Sequence, residues 1–216
     1  VVTGAGSGIG AATAKILAKR GADVVLADLD LPAAQRIAKM IVESGGKAVA
    51  TETDISNNDS VQELMTFARS RGSLSVLVNS AGITGPLGRK VGELSIDDFN
   101  QTLAVNLLGT INLTLQALPS MVTNGYGRIA HVASIAGKEG NPMMAPYNTA
   151  KAGMIGFIKG CAKEYAGQGV TINAIAPAVI RSPMVESEPP SVVDYMISRI
   201  PMGRMGEPEE VAETLA

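Results

Sequence analysis

Tyr147 and Lys151 stand four residues apart, and Ser134 precedes the tyrosine by thirteen, within the stretch HVASIAGKEGNPMMAPYNTAKAG from His131 to Gly153. The chain holds only four Tyr, three Phe and no Trp, so a tyrosine set one helical turn before a lysine calls for a reason. Residues four apart share one face of a helix and can point at the same spot. Pro146 suits the first helical position, which puts both residues at a helix start. A free phenol, with a pKa of about 10, is a poor base at neutral pH, and lowering it to about 7 takes about 4 kcal/mol. An ammonium about 5 Å away supplies about 3 kcal/mol at an effective dielectric of about 20. The pair therefore reads as an acid–base device, with the phenol expected to titrate low. The plain alternative is a solvated Tyr/Lys pair on a helix surface.

Such a device needs elements to hold it. Short β-branched runs occur at ADVVLA (22–27), KAVATE (47–52), LSVLVN (74–79), GRIAHVA (127–133) and GVTINAI (169–175), with helical patterns between them. Strands alternating with helices argue for βαβ units and a parallel sheet covered on both faces. The continuous apolar runs VVLA and VLVN fit strands buried on both sides. Ser95 with Asp98 has the spacing of a capping box, and Asn57-Asn58-Asp59 opens the preceding helix. No linker, repeat or low-complexity segment interrupts the chain, so residues 1–216 are expected to form one domain. The opening VVTGAG leaves little room for a strand and the closing GEPEEVAETLA stops within a helical pattern, so segments missing at both ends are expected.

Composition narrows the chemistry. With 216 residues, 46% hydrophobic and 18% charged, the chain can bury a core. A formal net charge of -2 and the lack of a basic run argue against a nucleic-acid partner. One histidine and one cysteine cannot build a Cys/His zinc site, so no metal is expected. The single Cys161 suits a reducing compartment, and no apolar run reaches membrane-spanning length, so a cytoplasmic location is expected.

Ligands of open parallel sheets bind beyond the carboxyl ends of the strands. Those ends carry TGAGSGIG (Thr3–Gly10), Asp28, Asp54, NSAG (Asn79–Gly82), Ser134 and Pro177. Gly4, Gly8 and Gly10 follow the spacing G-x-x-x-G-x-G, with Ile9 where a strict G-x-G-x-x-G would end. Without Cβ atoms, such a turn lets backbone N–H groups and a helix N-terminus approach a pyrophosphate. By itself it could equally be an ordinary strand-to-helix loop. Asp28, some twenty residues on at a strand end, can accept hydrogen bonds from the adenosine ribose; capping the following helix is its plain alternative. A 2′-phosphate within about 4 Å of that carboxylate would cost roughly 1–4 kcal/mol. NAD is therefore expected over NADP.

Taken together, TGAGSGIG, Asp28, NSAG, Asn106, Ser134, Tyr147-x-x-x-Lys151 and NAIAPAVIRSPM resemble the short-chain dehydrogenase/reductase family, in its order and spacing over essentially the whole chain. The resemblance implies a Rossmann-type doubly wound sheet with helices on both faces, ordered 3-2-1-4-5-6, with a seventh strand that this chain lacks. It implies Tyr147 as general acid/base, Ser134 orienting the substrate oxygen, Lys151 supporting the tyrosine and holding the nicotinamide ribose, and Asn106 completing a proton relay. It further implies cofactor contacts from Gly4, Ser7, Gly8, Ile9, Gly10 and Asp28, from Asp54 and Ile55 at the adenine, and from Asn79, Ala81, Gly82 and Pro177. Ile180 and Ser182 would meet the carboxamide. Departures from the family pattern are Ser80 for its second Asn, Ala178 for Gly and Ser182 for Thr, all mild changes. Asn106 also falls within the helical stripe Phe99, Leu103, Leu107, Thr110, Ile111 and Leu118, where a polar group needs hydrogen-bond partners.

The remaining conspicuous residues read plainly. His131 is expected to be structural, and Cys161 core or interface. Met143, Met144, Met184, Met196, Met202 and Met205 are expected around a substrate mouth, as lid or as packing. Residues 182–206 are expected to cover the substrate, with Pro189-Pro190 opening a short helix that bears Val192, Val193, Met196 and Ile197. A serine hydrolase is disfavoured, because no serine has glycine at both minus two and plus two. A non-catalytic dinucleotide sensor could share the fold, but would have no reason to keep the four polar residues together. An apolar lid favours a 3-oxoacyl substrate, whereas Lys138, Glu139, Asn141, Arg181 and Arg89 suit hydroxyl and carboxylate groups. The segment SIAGKEGNP also resembles family members acting on sugars and sugar acids. The expectation is an NAD-dependent oxidoreductase of a sugar, sugar acid or polyol, with 3-oxoacyl-thioester reduction second. By the same resemblance, helices 95–121 and 146–166 with Ala150, Gly153, Gly156 and Gly160 would form a homodimer or homotetramer.

Overall fold

A computed structural model describes residues 1–186 and 190–216. Six parallel strands, β1 (Val2–Thr3), β2 (Asp23–Asp28), β3 (Lys47–Glu52), β4 (Val76–Asn79), β5 (Gly127–Val132) and β6 (Val170–Ile175), lie in the order β3-β2-β1-β4-β5-β6. The helices that flank them are α1 (Gly8–Lys19), α2 (Leu31–Glu43), α3 (Asn58–Arg71), α4 (Ile96–Leu103), α5 (Gly109–Thr123), α6 (Ala136–Glu139), α7 (Ala145–Tyr165), α8 (Pro183–Glu186), α9 (Pro190–Ser198) and α10 (Pro208–Leu215). Strand order and helix placement are those of the doubly wound fold expected from the sequence. The chain packs as two compact units: Val1 with Thr53–Ala176, and Val2–Glu52 with Pro177–Ala216.

In the first unit, β4, β5 and β6 pair so that Asn79 stands opposite His131, and His131 opposite Ala174. This register brings the ends of β4 and β5 level, which sets Asn79 and the Ser134 turn on one edge. The core beneath is Leu77, Val78, Leu113, Met121, Ile129 and Met154, all nearly or fully buried. Asn57 caps α3 by accepting from the N–H groups of Asp59 and Ser60, and Ser95 and Asp98 form the reciprocal capping box at α4. The expected single helix over 95–121 is interrupted: residues Ala104–Leu108 form a π-helical turn between α4 and α5. Wide turns of this kind open the backbone ladder where a side chain must be re-aimed.

In the second unit, β2 pairs with β3 over its length, from Asp23 opposite Lys47 to Asp28 opposite Glu52, and with β1 at Leu26 and Ala27. Val24, Val25, Leu26 and Ala27 are all buried, as expected of a strand covered on both faces. Asp30, not Asp28, caps α2 through the N–H of Ala33, which leaves the Asp28 carboxylate for other work. α10 lies against α1, where Arg20 and Glu213 pair at 2.7 Å. The expected helix in the covering segment exists as α9, starting at Pro190, while Pro189 lies outside the described residues.

Candidate active site

Ser134 follows β5 and turns the chain into α6, its Oγ accepting from the N–H of Ala136 at 3.1 Å. Tyr147 and Lys151 sit in the first two turns of α7, whose start is marked by Pro146. The Lys151 side chain is buried, and its Nζ donates to the Val132 carbonyl at 2.7 Å while standing 5.6 Å from the centroid of the Tyr147 ring. Its ammonium therefore has two N–H donors beyond the one it spends on the strand end.

The protonation energetics differ from the simple pair expected from spacing. Burial pushes the Tyr147 phenol up from its ordinary value, and hydrogen bonding with Ser134 only partly opposes it. Burial also pulls Lys151 down to about 8. The expected lowering of the phenol counted the ammonium and left out the desolvation of both groups, which dominates here. Lys151 spends one hydrogen bond on a backbone carbonyl, so its attraction is not aimed at the phenol alone.

Asn106 comes from the π-helical turn and is fully buried. Its amide clamps one residue of the chain after β4, Oδ1 accepting from Ile83 N at 3.0 Å and Nδ2 donating to Ile83 O at 2.7 Å. A Cβ at Gly82 would stand 2.7 Å from that Oδ1 and 3.8 Å from Lys151 Nζ. Gly82, Asn106 and Lys151 thus converge, and only glycine fits between them. Asn79, at the end of β4, donates from Nδ2 to Thr110 Oγ1 at 2.9 Å and accepts from Ala81 N at 3.2 Å. It fixes the NSAG turn to α5. Ile55 is buried beside Gly109, and Asp54 holds Ser56 N and Oγ with one carboxylate oxygen.

A polar chain that sequence reading passed over as plain structure underlies this cluster. Thr110 Oγ1 donates to Asn106 O, Thr114 Oγ1 donates to Thr110 O, and Thr114 Oγ1 meets His131 Nε2 at 3.1 Å. Because the threonine proton is already given to Thr110, the imidazole is the donor and carries its proton on Nε2. Nδ1 is a buried acceptor with no hydrogen-bond partner among the described residues. Burial, then the Lys151 charge, holds His131 down at about 3, so the ring is neutral. Hydroxyls at i and i+4 on a helix were the signal available in the sequence.

The second unit carries the glycine turn. Gly4 and Gly8 both take positive φ, 63° and 51°, which a side chain would oppose. A Cβ at Gly10 would lie 2.1 Å from Gly4 O, so α1 can start against the turn only with glycine there. Ser7 is the N-cap of α1 but its side chain caps nothing, and no acidic residue occupies the first turn. The N–H groups of Ile9 and its neighbours are thus left for an anion. Asp28 accepts from Gly6 N at 2.8 Å through Oδ2 and from Asp30 N at 3.0 Å through Oδ1, and each oxygen keeps a lone pair. Pro177 follows β6, Ile180 bridges to Gly206, and Ser182 lies next to Gly8. These residues fit a dinucleotide: an uncapped helix start, a cradle that a Cβ would fill and a carboxylate at the strand end.

The arginines expected to meet substrate are otherwise engaged. Arg181 pairs with Glu207 through both carboxylate oxygens at 3.1 Å, and Arg89 reaches Asp98 at 3.6 Å. Lys138 lines a cavity of about 570 Å³ with Ala133, Lys159, Lys163 and Asn173. Met143 and Met202 are exposed, Met144, Met196 and Met205 are partly covered, and the Met184 side chain lies outside what the structure describes. Among the described residues, no group of three or more His, Cys, Asp or Glu could hold a metal, and no helix is long and apolar enough to cross a membrane.

Comparison with known proteins agrees with this architecture. The family model described as short chain dehydrogenase matches residues 1–192. The 2-dehydro-3-deoxy-L-rhamnonate dehydrogenase (NAD(+)) of Sphingomonas sp. (strain SKA58) is 41% identical over 98% of this chain and 84% of its own length. The cis-4-hydroxycyclohexanecarboxylate dehydrogenase of Sinomonas cyclohexanicum is 40% identical over 100% of this chain and 86% of its own. A 3-oxoacyl-acyl-carrier-protein reductase of Thermotoga maritima is 36% identical over 100% and 87%. The crystal structure of gox2181 superimposes with a TM-score of 0.94 at 30% identity, over 99% of this chain and 84% of that one. With the glycine turn, the Asp28 carboxylate and the Ser134, Tyr147 and Lys151 cluster in place on a sheet of this order, the chain belongs to the short chain dehydrogenase family and is an NAD-dependent oxidoreductase.

Proposed function

We propose that the protein oxidises a secondary alcohol bearing a carboxylate or several hydroxyls, a sugar acid, sugar or polyol, to the ketone, with residues 1–216 acting as one dinucleotide-binding and catalytic domain. The observation that carries the reading is the convergence of Lys151, Asn106 and Gly82 beside Tyr147 and Ser134. NAD, when bound, supplies the hydride acceptor. Ser134 hydrogen-bonds the substrate oxygen and so fixes the carbinol carbon. Tyr147 acts as the phenolate, whose negative charge the neighbouring ammonium of Lys151 stabilises, and it takes the hydroxyl proton to become the neutral phenol. Lys151 holds a ribose hydroxyl with a further N–H, and Asn106, its amide clamped to Ile83, keeps the inner wall in shape for passage of the proton to solvent. Gly4, Ser7, Gly8, Ile9 and Gly10 hold the pyrophosphate, Asp28 the adenosine ribose, and Asp54 and Ile55 flank the adenine. Asn79, Ala81, Gly82, Pro177, Ile180 and Ser182 complete the cofactor's bed, with residues 182–206 covering the substrate.

Support for a carboxylate-bearing alcohol comes from the names of the two relatives at 41% and 40% identity, both acids with an oxygen at a secondary carbon. The exposed Met143 and the 36% identical reductase favour 3-oxoacyl-thioester reduction as the second reading. A cytoplasmic location and a homodimer or homotetramer complete the proposal. The deciding experiment is an NAD-reduction screen over sugars, sugar acids, polyols and hydroxycyclohexane acids, run beside NADH and NADPH oxidation with a 3-oxoacyl thioester. Turnover confined to the thioester would replace the first reading by the second, and the lack of any redox turnover would favour a dinucleotide sensor.

A further inference from the structure

The loop from Gly140 to Met144 joins the Ser134 turn to the helix that carries Tyr147, and one side chain holds its form. Asn148, the residue after the tyrosine, donates from Nδ2 to Asn141 O at 2.7 Å and accepts from Asn141 N at 3.2 Å through Oδ1. Both bonds go to the backbone of a single residue, as a neighbouring strand would provide them, so the amide closes residues 141–148 into a ring. Inside that ring Met143 has φ 61°, the one non-glycine residue with positive φ among the described residues. A side chain in the left-handed region persists only where its surroundings impose it. The strained residue is also tied to the chain that follows β4, because Gly88 N donates to Met143 O at 3.1 Å. Its side chain is 47% exposed rather than packed into the core. Nothing in the interior therefore requires the strain.

We propose that Asn148 is a positioning residue that holds Met143 in its left-handed conformation, and that Met143 so held contacts the carbon skeleton of the substrate alcohol. The inference rests on the secondary-alcohol reading of the site. The hydrogen bonds of the Asn148 side chain go to Asn141, so it acts through the loop. With the alcohol held between this loop and the Ser134 and Tyr147 hydroxyls, as the proposal requires, a loose loop would weaken its binding and leave the proton transfer intact.

The test uses the best alcohol from the screen and a double-mutant cycle. Asn148→Ala should raise KM about tenfold, the loss expected for two modest hydrogen bonds, with kcat changed less than about threefold. NADH binding by fluorescence should stay within about twofold, because the glycine turn is untouched. Glycine takes positive φ without strain, so in a Met143→Gly background the same Asn148→Ala change should raise KM by no more than about twofold. Hydrogen exchange at the Asn141 amide, protected in the parent protein, should accelerate in Asn148→Ala. Additive KM effects, or a fall in kcat as large as the rise in KM, would overturn the proposal. If Asn148→Ala does not fold, Asn148→Asp, which keeps the acceptor for Asn141 N but lacks the donor, is read by the same criteria. If no alcohol is turned over, the substrate reading fails, and unchanged exchange at Asn141 would separately sink the clip.

Discussion

A phenol enclosed by protein keeps its proton more tightly than one in water, and Tyr147 is such a phenol, with only Ser134 pulling the other way. Its proposed work as a base depends on the charge of Lys151 and of whatever lies beside it during turnover. Tyr147→Phe removes the proton acceptor and leaves the ring, so turnover should fall by about 100-fold or more while NADH binding stays within about twofold. Stopped-flow turnover and fluorescence titration check this, and near-full activity would end the assignment. His131 gives a pH prediction whose sign follows from burial. Its native pKa of about 3 lies below the ordinary 6.5, so on acidification the unfolded chain takes a proton that the native ring refuses. Stability from this group is intact above pH ~6.5 and is lost progressively as pH falls toward ~3. His131→Gln keeps an N–H near Thr114 and cannot titrate. Between about pH 7 and pH 4 urea unfolding should show the parent losing roughly 3 kcal/mol relative to that variant. An unchanged difference would mean that the ring is not held neutral.

At the scale of elements, the turn between β1 and α1 works with the end of β2, since Asp28, proposed to hold the ribose, accepts a hydrogen bond from Gly6 N. Asp28→Ala should therefore weaken NADH binding and narrow a preference over NADPH that is about tenfold or more in the parent. Tighter binding of NADPH to the parent would refute the cofactor argument. The π-helical turn Ala104–Leu108 and the chain after β4 form a second such pair, joined by the Asn106 clamp on Ile83. Gly82→Ala would drive a methyl into Asn106 Oδ1. That variant should lose about tenfold or more in kcat/KM, as expected for a shifted catalytic wall, with a native far-ultraviolet spectrum. Parent-like kinetics would show the wall to be pliable. The strands and caps were legible in the sequence because their signals are local: Asn57 and Ser95 bond to their own helix starts, and the VVLA run shows burial on both faces. The glycine turn and the Tyr147/Lys151 spacing were legible for the same reason. The π-helical turn was not, because nothing in AVNLL distinguishes a wide turn from the helix around it. The phenol's direction of shift, the engagement of Arg181 with Glu207 and the Asn148 clip depend on contacts across space that spacing alone cannot report.

At the scale of the whole molecule, the surface raises the question of assembly. Ile96, Leu108 and Leu115 are 73%, 56% and 61% exposed, and all three come from the run α4, π-helical turn, α5. Leu108 and Leu115 are seven residues apart, two helical turns, and so lie near one line on that surface. Large exposed apolar side chains in a row mark an interaction face more often than they mark chance. The small residues of α7 divide: Ala150 is buried, while Gly153, beside Leu107, and Gly156 and Gly160 are exposed. The expected close approach by all four thus narrows to the three glycines. A twofold partner would bring each of these faces against itself, and burying a leucine completely is worth about 2 kcal/mol. Leu115→Glu removes that gain and places like charges across the axis, far along α5 from Asn106. Light scattering should give a dimer or tetramer for the parent and a smaller species for Leu115→Glu at the same concentration, with NADH binding retained. A strictly monomeric parent would remove the assembly from the proposal, and an unchanged Leu115→Glu oligomer would move the interface off α5.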